Sequence, residues 1–403
     1  MSKIKFNKLK EDGLPRWFPN VWELMQELKS GKLIVKLPDN QVFSVTGSEP
    51  GPTGKIEILN EEFFSRLIRE GELAFSESYM DGWWQTEDLI ALLDVLMSSN
   101  EIFGRSFPGA FLVQYYERMR HWFKSNSKSQ AKKNIAYHYD LGNEFYSSWL
   151  DETMTYSSAY FETGHESLAE AQNKKYGRIC KTLNLESGQQ LLEIGCGWGG
   201  FAEYAINNYG VHVTGLTISK AQYEFANSRL FNAGLAEKAN IKLLDYRDET
   251  GSYDALASIE MFEAVGERYW PTYFQGVRNR LKEKARATLQ IITVADELFP
   301  EYRKNVDFIQ KYIFPGGMLP SQKILFDQVS KSGLSKLGCY QFGDSYTKTL
   351  KLWHEKFNSV WGDISPLGFD DRFRRMWNFY FASCAAVFNT GVGDVTHLTI
   401  ARD

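Results

Sequence analysis

Gln190-Leu191-Leu192-Glu193-Ile194-Gly195-Cys196-Gly197-Trp198-Gly199-Gly200 decides the fold. The apolar run reads as a buried strand, the glycines as a tight turn, and Phe201 to Tyr209 as the helix that follows. Strand, glycine turn and helix together bring a ligand close to the backbone at the switch point of a sheet. Working outward, Val211 to Leu216 reads as a strand and Lys220 to Gly234 as a helix. Ile241 to Leu244, Tyr253 to Ile259 and Ala287 to Thr293 continue the series. Such alternation predicts an α/β, Rossmann-like domain with a mostly parallel sheet covered on both faces.

The glycine spacing narrows the ligand. Dinucleotide sites want Gly-x-Gly-x-x-Gly with an acidic residue about 20 positions on. Here the spacing is Gly-x-Gly-x-Gly, and Thr217 ends the second strand without a carboxylate for ribose hydroxyls. Glu193 lies two residues before Gly195, where it suits a cationic sulfonium better than a pyrophosphate. These features favour S-adenosylmethionine over a nicotinamide cofactor, the plain alternative being a structural glycine turn. Asp245-Tyr246 follows the third strand, offering an acceptor and a stacking face for adenine, or an ordinary surface turn.

Composition bounds the rest. The 403 residues are too many for one small core. Apolar (43%) and charged (24%) fractions exclude a disordered or collagen-like chain, and no apolar run is long enough to span a bilayer. A net charge of -4 argues against wholesale nucleic-acid binding. The four cysteines are scattered without metal-ligand spacing, so no metal is expected. With no export signal at the N-terminus, a cytoplasmic protein with reduced thiols is expected. The 15% of aromatic residues points to large apolar surfaces and a large apolar ligand.

The first 125 residues carry no catalytic motif. Val21 to Leu28 and Glu61 to Ile68 have helical spacing. Leu33 to Leu37 and Val42 to Val45 flank Pro38-Asp39-Asn40 as a hairpin, and Thr86 reads as the N-cap of another helix. Arg118, Arg120, Lys124, Lys128, Lys132 and Lys133 interleave with Tyr115, Tyr116, Trp122 and Phe123. This stretch is either a solvated helix face or a patch that meets anionic head groups. Polar residues from Ser125 to Gln130 mark the boundary between a region 1–125 and a domain 134–403.

Several separate segments resemble one family. Tyr139-Asp140-Leu141-Gly142-Asn143, Thr155 to Phe161, Ile194 to Gly199, Gly215 to Ser219, Met261 to Gly266 and Ile313 to Ser321 look like cyclopropane-fatty-acyl-phospholipid synthases and mycolic acid cyclopropane synthases. The resemblance implies a class I methyltransferase domain preceded by a mainly helical, lipid-contacting N-terminal domain. It implies S-adenosylmethionine contacts at Tyr156, Ser157, Gly195, Gly197, Gly199, Thr217, Ile218, Gln222, Tyr246 and Arg247. It also implies a bicarbonate cage at Ser158, Glu263, Gln290, Ile292 and Tyr346, and an active-site position at Cys384. The implied substrate is the double bond of unsaturated phospholipid acyl chains at the inner membrane surface, with a homodimer left open.

Three departures stand out. Ser158 replaces the usual cysteine, Gln290 the usual histidine, and Ala264 the histidine of Phe-Glu-His. Ser and Gln can still hydrogen-bond an oxyanion, but neither is a competent base near neutral pH. Proton removal then falls to Glu263 or Tyr346. Methyl transfer to an alkene leaves a carbocation that must be kept from water. Loss of a proton from the new methyl closes a cyclopropane. Loss of a neighbouring chain proton, or a hydride shift, gives a methylene- or methyl-branched chain. The residues that remain, Glu263, Ile292 and Tyr346, support a ring; loss of the cage would give bicarbonate-independent branching. Taken alone, Cys384 reads as a buried structural thiol.

Overall fold

A computed structural model describes residues 13–99, 127–128, 130–131 and 141–403. The boundary near 125–134 and nearly all of the basic-aromatic stretch from Tyr115 to Lys133 lie outside the described residues.

The larger sheet has seven strands: β5 (Gln190–Ile194), β6 (His212–Thr217), β7 (Ala239–Leu243), β8 (Tyr253–Ile259), β9 (Leu281–Val294), β10 (Leu334–Gln341) and β11 (Gly393–Arg402). Their order is β7-β6-β5-β8-β9-β11-β10. The first five run parallel, and β11 enters antiparallel between β9 and β10. The parallel strands are near-continuous apolar runs because helices cover both faces. Leu191, Leu192, Ala255, Leu256 and Ala257 are fully buried. The order reverses at β5, so the loop after β5 opens at the switch point, as expected. After α5 (Asn143–Trp149), one face of the sheet is covered by α6 (Leu168–Leu183), started by a Ser167/Glu170 capping box, and α7 (Gly200–Tyr209).

The N-terminal region carries α1 (Phe18–Met25), α2 (Glu62–Glu70), α3 (Glu72–Met80) and α4 (Leu89–Met97). It also has a four-stranded sheet of order β2-β1-β3-β4, formed by β1 (Ser30–Lys36), β2 (Val42–Thr46), β3 (Glu49–Ile58) and β4 (Trp84–Gln85). The expected hairpin pairs Lys36 with Val42 and Leu33 with Val45. Beside the four helices, the sheet turns Leu33, Val35, Ile56 and Ile58 inward. The N-cap of α4 is Asp88, not Thr86: its carboxylate accepts the Ala91 N–H at 2.9 Å. A charged oxygen one step from the first turn outcompetes a hydroxyl two residues earlier.

The two regions are not separate bodies. Phe18, Trp84 and Leu92 share one core with Trp377, Phe379 and Phe388 of the helix Asp371–Asn389. Glu77 on α3 accepts from Arg66 at 2.7 Å and from Lys311 of the larger domain at 2.8 Å. Asp94 on α4 accepts from Asn389 at 2.9 Å. No helix among the described residues is long and apolar enough to cross a membrane.

Candidate active site

A cavity of about 790 Å³ opens above the C-terminal ends of β5, β6 and β8. The glycine loop forms one wall. Its turn is pinned by the Gly195 and Cys196 N–H groups, both donating to Leu216 O at 2.9 Å. Gly197 has φ +51°, and a Cβ there would meet no atom within 4 Å, so it faces open cavity. Gly199, at φ +84°, caps α7 instead, and a Cβ on it would lie 3.2 Å from Ala226. It does not line the cavity.

The other expected cofactor residues converge there. Tyr156, Ser157, Glu193, Gly195, Thr217 and Ile218 line it, with Gln222, Asp245, Tyr246 and Arg247 beyond. Thr217 Oγ1 donates to Gln222 at 2.9 Å, fixing that amide. Asp245 is not a free acceptor. Burial pushes its carboxyl up, but Arg247 Nε at 2.8 Å and Nη2 at 2.6 Å outweigh this and hold it below its usual range. Glu193 is buried with Oε2 unpartnered, and burial pushes its carboxyl up to about 8. The Tyr246 hydroxyl is likewise buried without a partner. A cation above the loop would neutralise Glu193, and an adenosine would engage the Tyr246 face. The residues therefore fit the sulfonium nucleoside that the spacing suggests.

The expected oxyanion cage is arranged differently. Ser158 N–H, Gln290 Nε2 and Tyr346 OH point at a side chain the sequence reading passed over, Glu260. Glu260 Oε1 accepts from Ser158 N at 2.8 Å and Gln290 Nε2 at 2.7 Å, and Oε2 accepts from Tyr346 at 3.0 Å. Glu260 sits just past β8 at φ +46°, a left-handed conformation costing about 1–3 kcal/mol for a residue other than glycine. Its own N–H is held by Gln290 O at 2.9 Å, and its carboxylate lines the cavity.

This corrects several expectations. Ser158 serves through its backbone N–H, because its hydroxyl donates to Ala159 O at 2.9 Å. Ser158 and Gln290 are fully buried behind the cavity rather than lining it. Tyr346 is a donor, not a base, since burial and the adjacent Glu260 charge hold its phenol far above neutral. Glu263 accepts from Ile292 N at 2.6 Å through Oε1, while Oε2 stays buried and unpartnered. Burial, reinforced by Glu260, pushes its carboxyl up to about 8. Cys384 lines the cavity, but burial raises its thiol, so it is a poor nucleophile.

Lys175 on α6 completes the electrostatics. It is fully buried, and its Nζ donates to Ser157 Oγ at 2.8 Å. Burial lowers its basicity, while Glu260, Asp151 and Glu193 work to keep it charged. Burial raises the Glu260 carboxyl, and Lys175 is the largest opposing influence, ahead of the three hydrogen bonds. Removing this charge in Lys175→Met should raise the Glu260 carboxyl further. If ionised Glu260 is required, the acidic limb of the pH–rate profile moves up by about one pH unit or more. An unmoved limb would show that the titrating group is elsewhere.

The lining also includes the apolar side chains of Met154, Ile309, Phe314, Val387 and Phe388, and Met97 from the N-terminal region. Tyr156 OH donates to Tyr380 OH at 2.9 Å, and both aromatic residues line the cavity.

A sheet of this order, with a ligand cavity at its switch point, defines a class I methyltransferase. A family model described as mycolic acid cyclopropane synthetase matches residues 126–398. The chain belongs to that family. It is 37% identical to the tuberculostearic acid methyltransferase of Mycobacterium tuberculosis over 91% of this chain and 88% of that protein. It is also 37% identical to the cyclopropane-fatty-acyl-phospholipid synthase of Escherichia coli, over 86% of each. The solved structure of mycolic acid cyclopropane synthase CmaA1, complexed with SAH and CTAB, superposes with a TM-score of 0.63 at 30% identity. It covers 67% of this chain and 98% of CmaA1.

Proposed function

We propose that the chain methylates the double bond of unsaturated acyl chains of phospholipids, with Glu260 as the base, and that its product is branched rather than cyclic. S-adenosylmethionine supplies an electrophilic methyl group to the alkene. Glu193 and the turn from Gly195 to Gly197 hold the donor, and the apolar lining of Met154, Ile309, Phe314, Val387 and Phe388 takes the acyl chain. Tyr156 and Tyr380 offer π-faces to the cation that forms on the chain, each contact worth roughly 0.5–2 kcal/mol. The cation loses a proton to the Glu260 carboxylate, which hydrogen bonds from Ser158, Gln290 and Tyr346 keep in place; the proton comes from the neighbouring chain carbon, or from the new methyl after a hydride shift, so a C=C bond forms again.

The observation that carries this reading is Glu260 itself. Three of the residues expected around bicarbonate, Ser158, Gln290 and Tyr346, donate instead to a carboxylate that cannot leave. A base fixed to the end of β8 removes the need for a diffusible one, the condition under which the sequence favours a branch. The tuberculostearic acid methyltransferase, matched over 91% of this chain, supports the same product class. The Escherichia coli relative favours the ring as a second reading. The lipid is proposed to be met at a membrane surface through the basic-aromatic stretch between Tyr115 and Lys133.

Mass spectrometry of lipids from cells expressing the chain separates the readings, because ring and branch fragment differently. The expected product is a methylene-branched chain or a methyl-branched chain that keeps one double bond, formed at the same rate with and without added bicarbonate. A cyclopropane whose formation rises with bicarbonate would overturn both the product and the base.

A further inference from the structure

Behind the Glu260 pocket lies a buried imidazole that the methyl transfer does not touch. His397 on β11 is in register with Gln290 on β9 and is 1% exposed. Its Nε2 lies 2.8 Å from Gln290 Oε1, and its Nδ1 is buried without a partner. The far side of the same amide donates through Nε2 to Glu260 Oε1 at 2.7 Å and to Ser158 O at 3.2 Å.

A carboxamide has one oxygen and one NH₂ group. Two oxygen acceptors face the inner side of Gln290, so the NH₂ must point there and its oxygen must point at His397. The imidazole must then donate, which fixes the proton on Nε2 and leaves Nδ1 bare. Turned the other way, the amide would set its oxygen against the Glu260 carboxylate and the Ser158 carbonyl.

We infer that His397 is a positioning residue: its Nε2–H locks the Gln290 amide so that the NH₂ group holds Glu260 for proton removal. This rests on the reading of Glu260 as the base. The ring stays neutral, since burial, with Lys175 and Arg178 of α6 nearby, drives its pKa well below the usual value. Glu260 is faced from the other elements by Lys175, Glu263, Tyr346, Tyr380 and Cys384. None of these reaches Gln290 Oε1 to replace the imidazole.

His397→Leu removes the donor, and His397→Gln restores one through its amide. The leucine variant should lose about tenfold in kcat at neutral pH, the cost of loosening one hydrogen bond to a charged group, with KM for S-adenosylmethionine unchanged. Its acidic limb should move to higher pH, and that of His397→Gln should return toward wild type. A leucine variant with an unmoved limb and normal kcat would overturn the inference. So would a glutamine variant displaced as far as leucine.

Nitrogen-15 NMR of histidine-labelled wild-type enzyme tests the same point without relying on a folded leucine variant. The resonances of His397, identified by their loss in His397→Gln, should show a protonated Nε2 and a bare Nδ1; the reverse tautomer would refute the lock. Glu260→Gln separates this from the underlying reading. Retained turnover there would overturn Glu260 as base, whereas lost turnover with an indifferent His397→Leu would overturn only the role of His397.

Discussion

Glu260→Gln should abolish product formation while S-adenosylmethionine still binds. Glutamine keeps the shape of the side chain, and its oxygen can still accept from Ser158 N–H or from Tyr346. Its NH₂ group, however, meets a ring of donors and cannot take a proton from the cation. General-base catalysis contributes about 10²–10⁴-fold, and the loss in single-turnover methyl transfer should lie in that range. Calorimetry should give a cofactor affinity close to wild type, because the glycine loop and Glu193 are untouched. Turnover within about tenfold of wild type would move the base elsewhere. The next candidate would then be Glu263, whose second oxygen is buried without a partner.

Gly197→Val should remove cofactor binding with the fold retained. The glycine sits at φ +51°, and the space its side chain would enter is open cavity rather than protein. A branched side chain is strained in that conformation, and its methyl groups would fill the place a ligand must take. Affinity should fall at least about 100-fold, near 2.7 kcal/mol. Gly199 offers a contrast, because a Cβ there presses on Ala226 and not on ligand. Gly199→Ala should therefore cost stability more than affinity. A folded Gly197→Val enzyme that binds S-adenosylmethionine normally would place the cofactor elsewhere.

Much of this architecture is legible in the sequence because it rests on local pattern. Apolar runs bounded by glycine predict β5, β6 and β8, and three glycines in five residues predict the turn above them. The strand Ala287 to Thr293 is recognised but is longer, since β9 begins at Leu281 and continues through three consecutive exposed residues, Lys282, Glu283 and Lys284, that read as a loop. Glu260 escapes because a lone acidic residue after Ser258-Ile259 looks like the end of a strand. Attention goes instead to Glu263, three positions on. The partners that define Glu260 come from far away, Gln290 by 30 positions and Tyr346 by 86. A local signal did exist: two acidic residues within four positions at the mouth of a central strand. Ser158 shows a different limit. The sequence singles out the residue but cannot say that its backbone N–H meets Glu260 while its hydroxyl turns to Ala159 O.

The shared core has a consequence for the order in which the chain can mature. Asp94 meets Asn389 across 295 positions, and the rings of Phe75 and Tyr79 of α3 pack at a tilt against Phe379 of the same late helix. At roughly 5–20 residues per second, a ribosome needs about 15–60 s to make the partner after α4 has emerged. Throughout that interval the apolar flank of the N-terminal sheet and its helices stands uncovered. A nascent chain of this protein should therefore be a chaperone client until residues 371–389 arrive, and a stop codon just before them should leave a product that aggregates rather than a smaller enzyme.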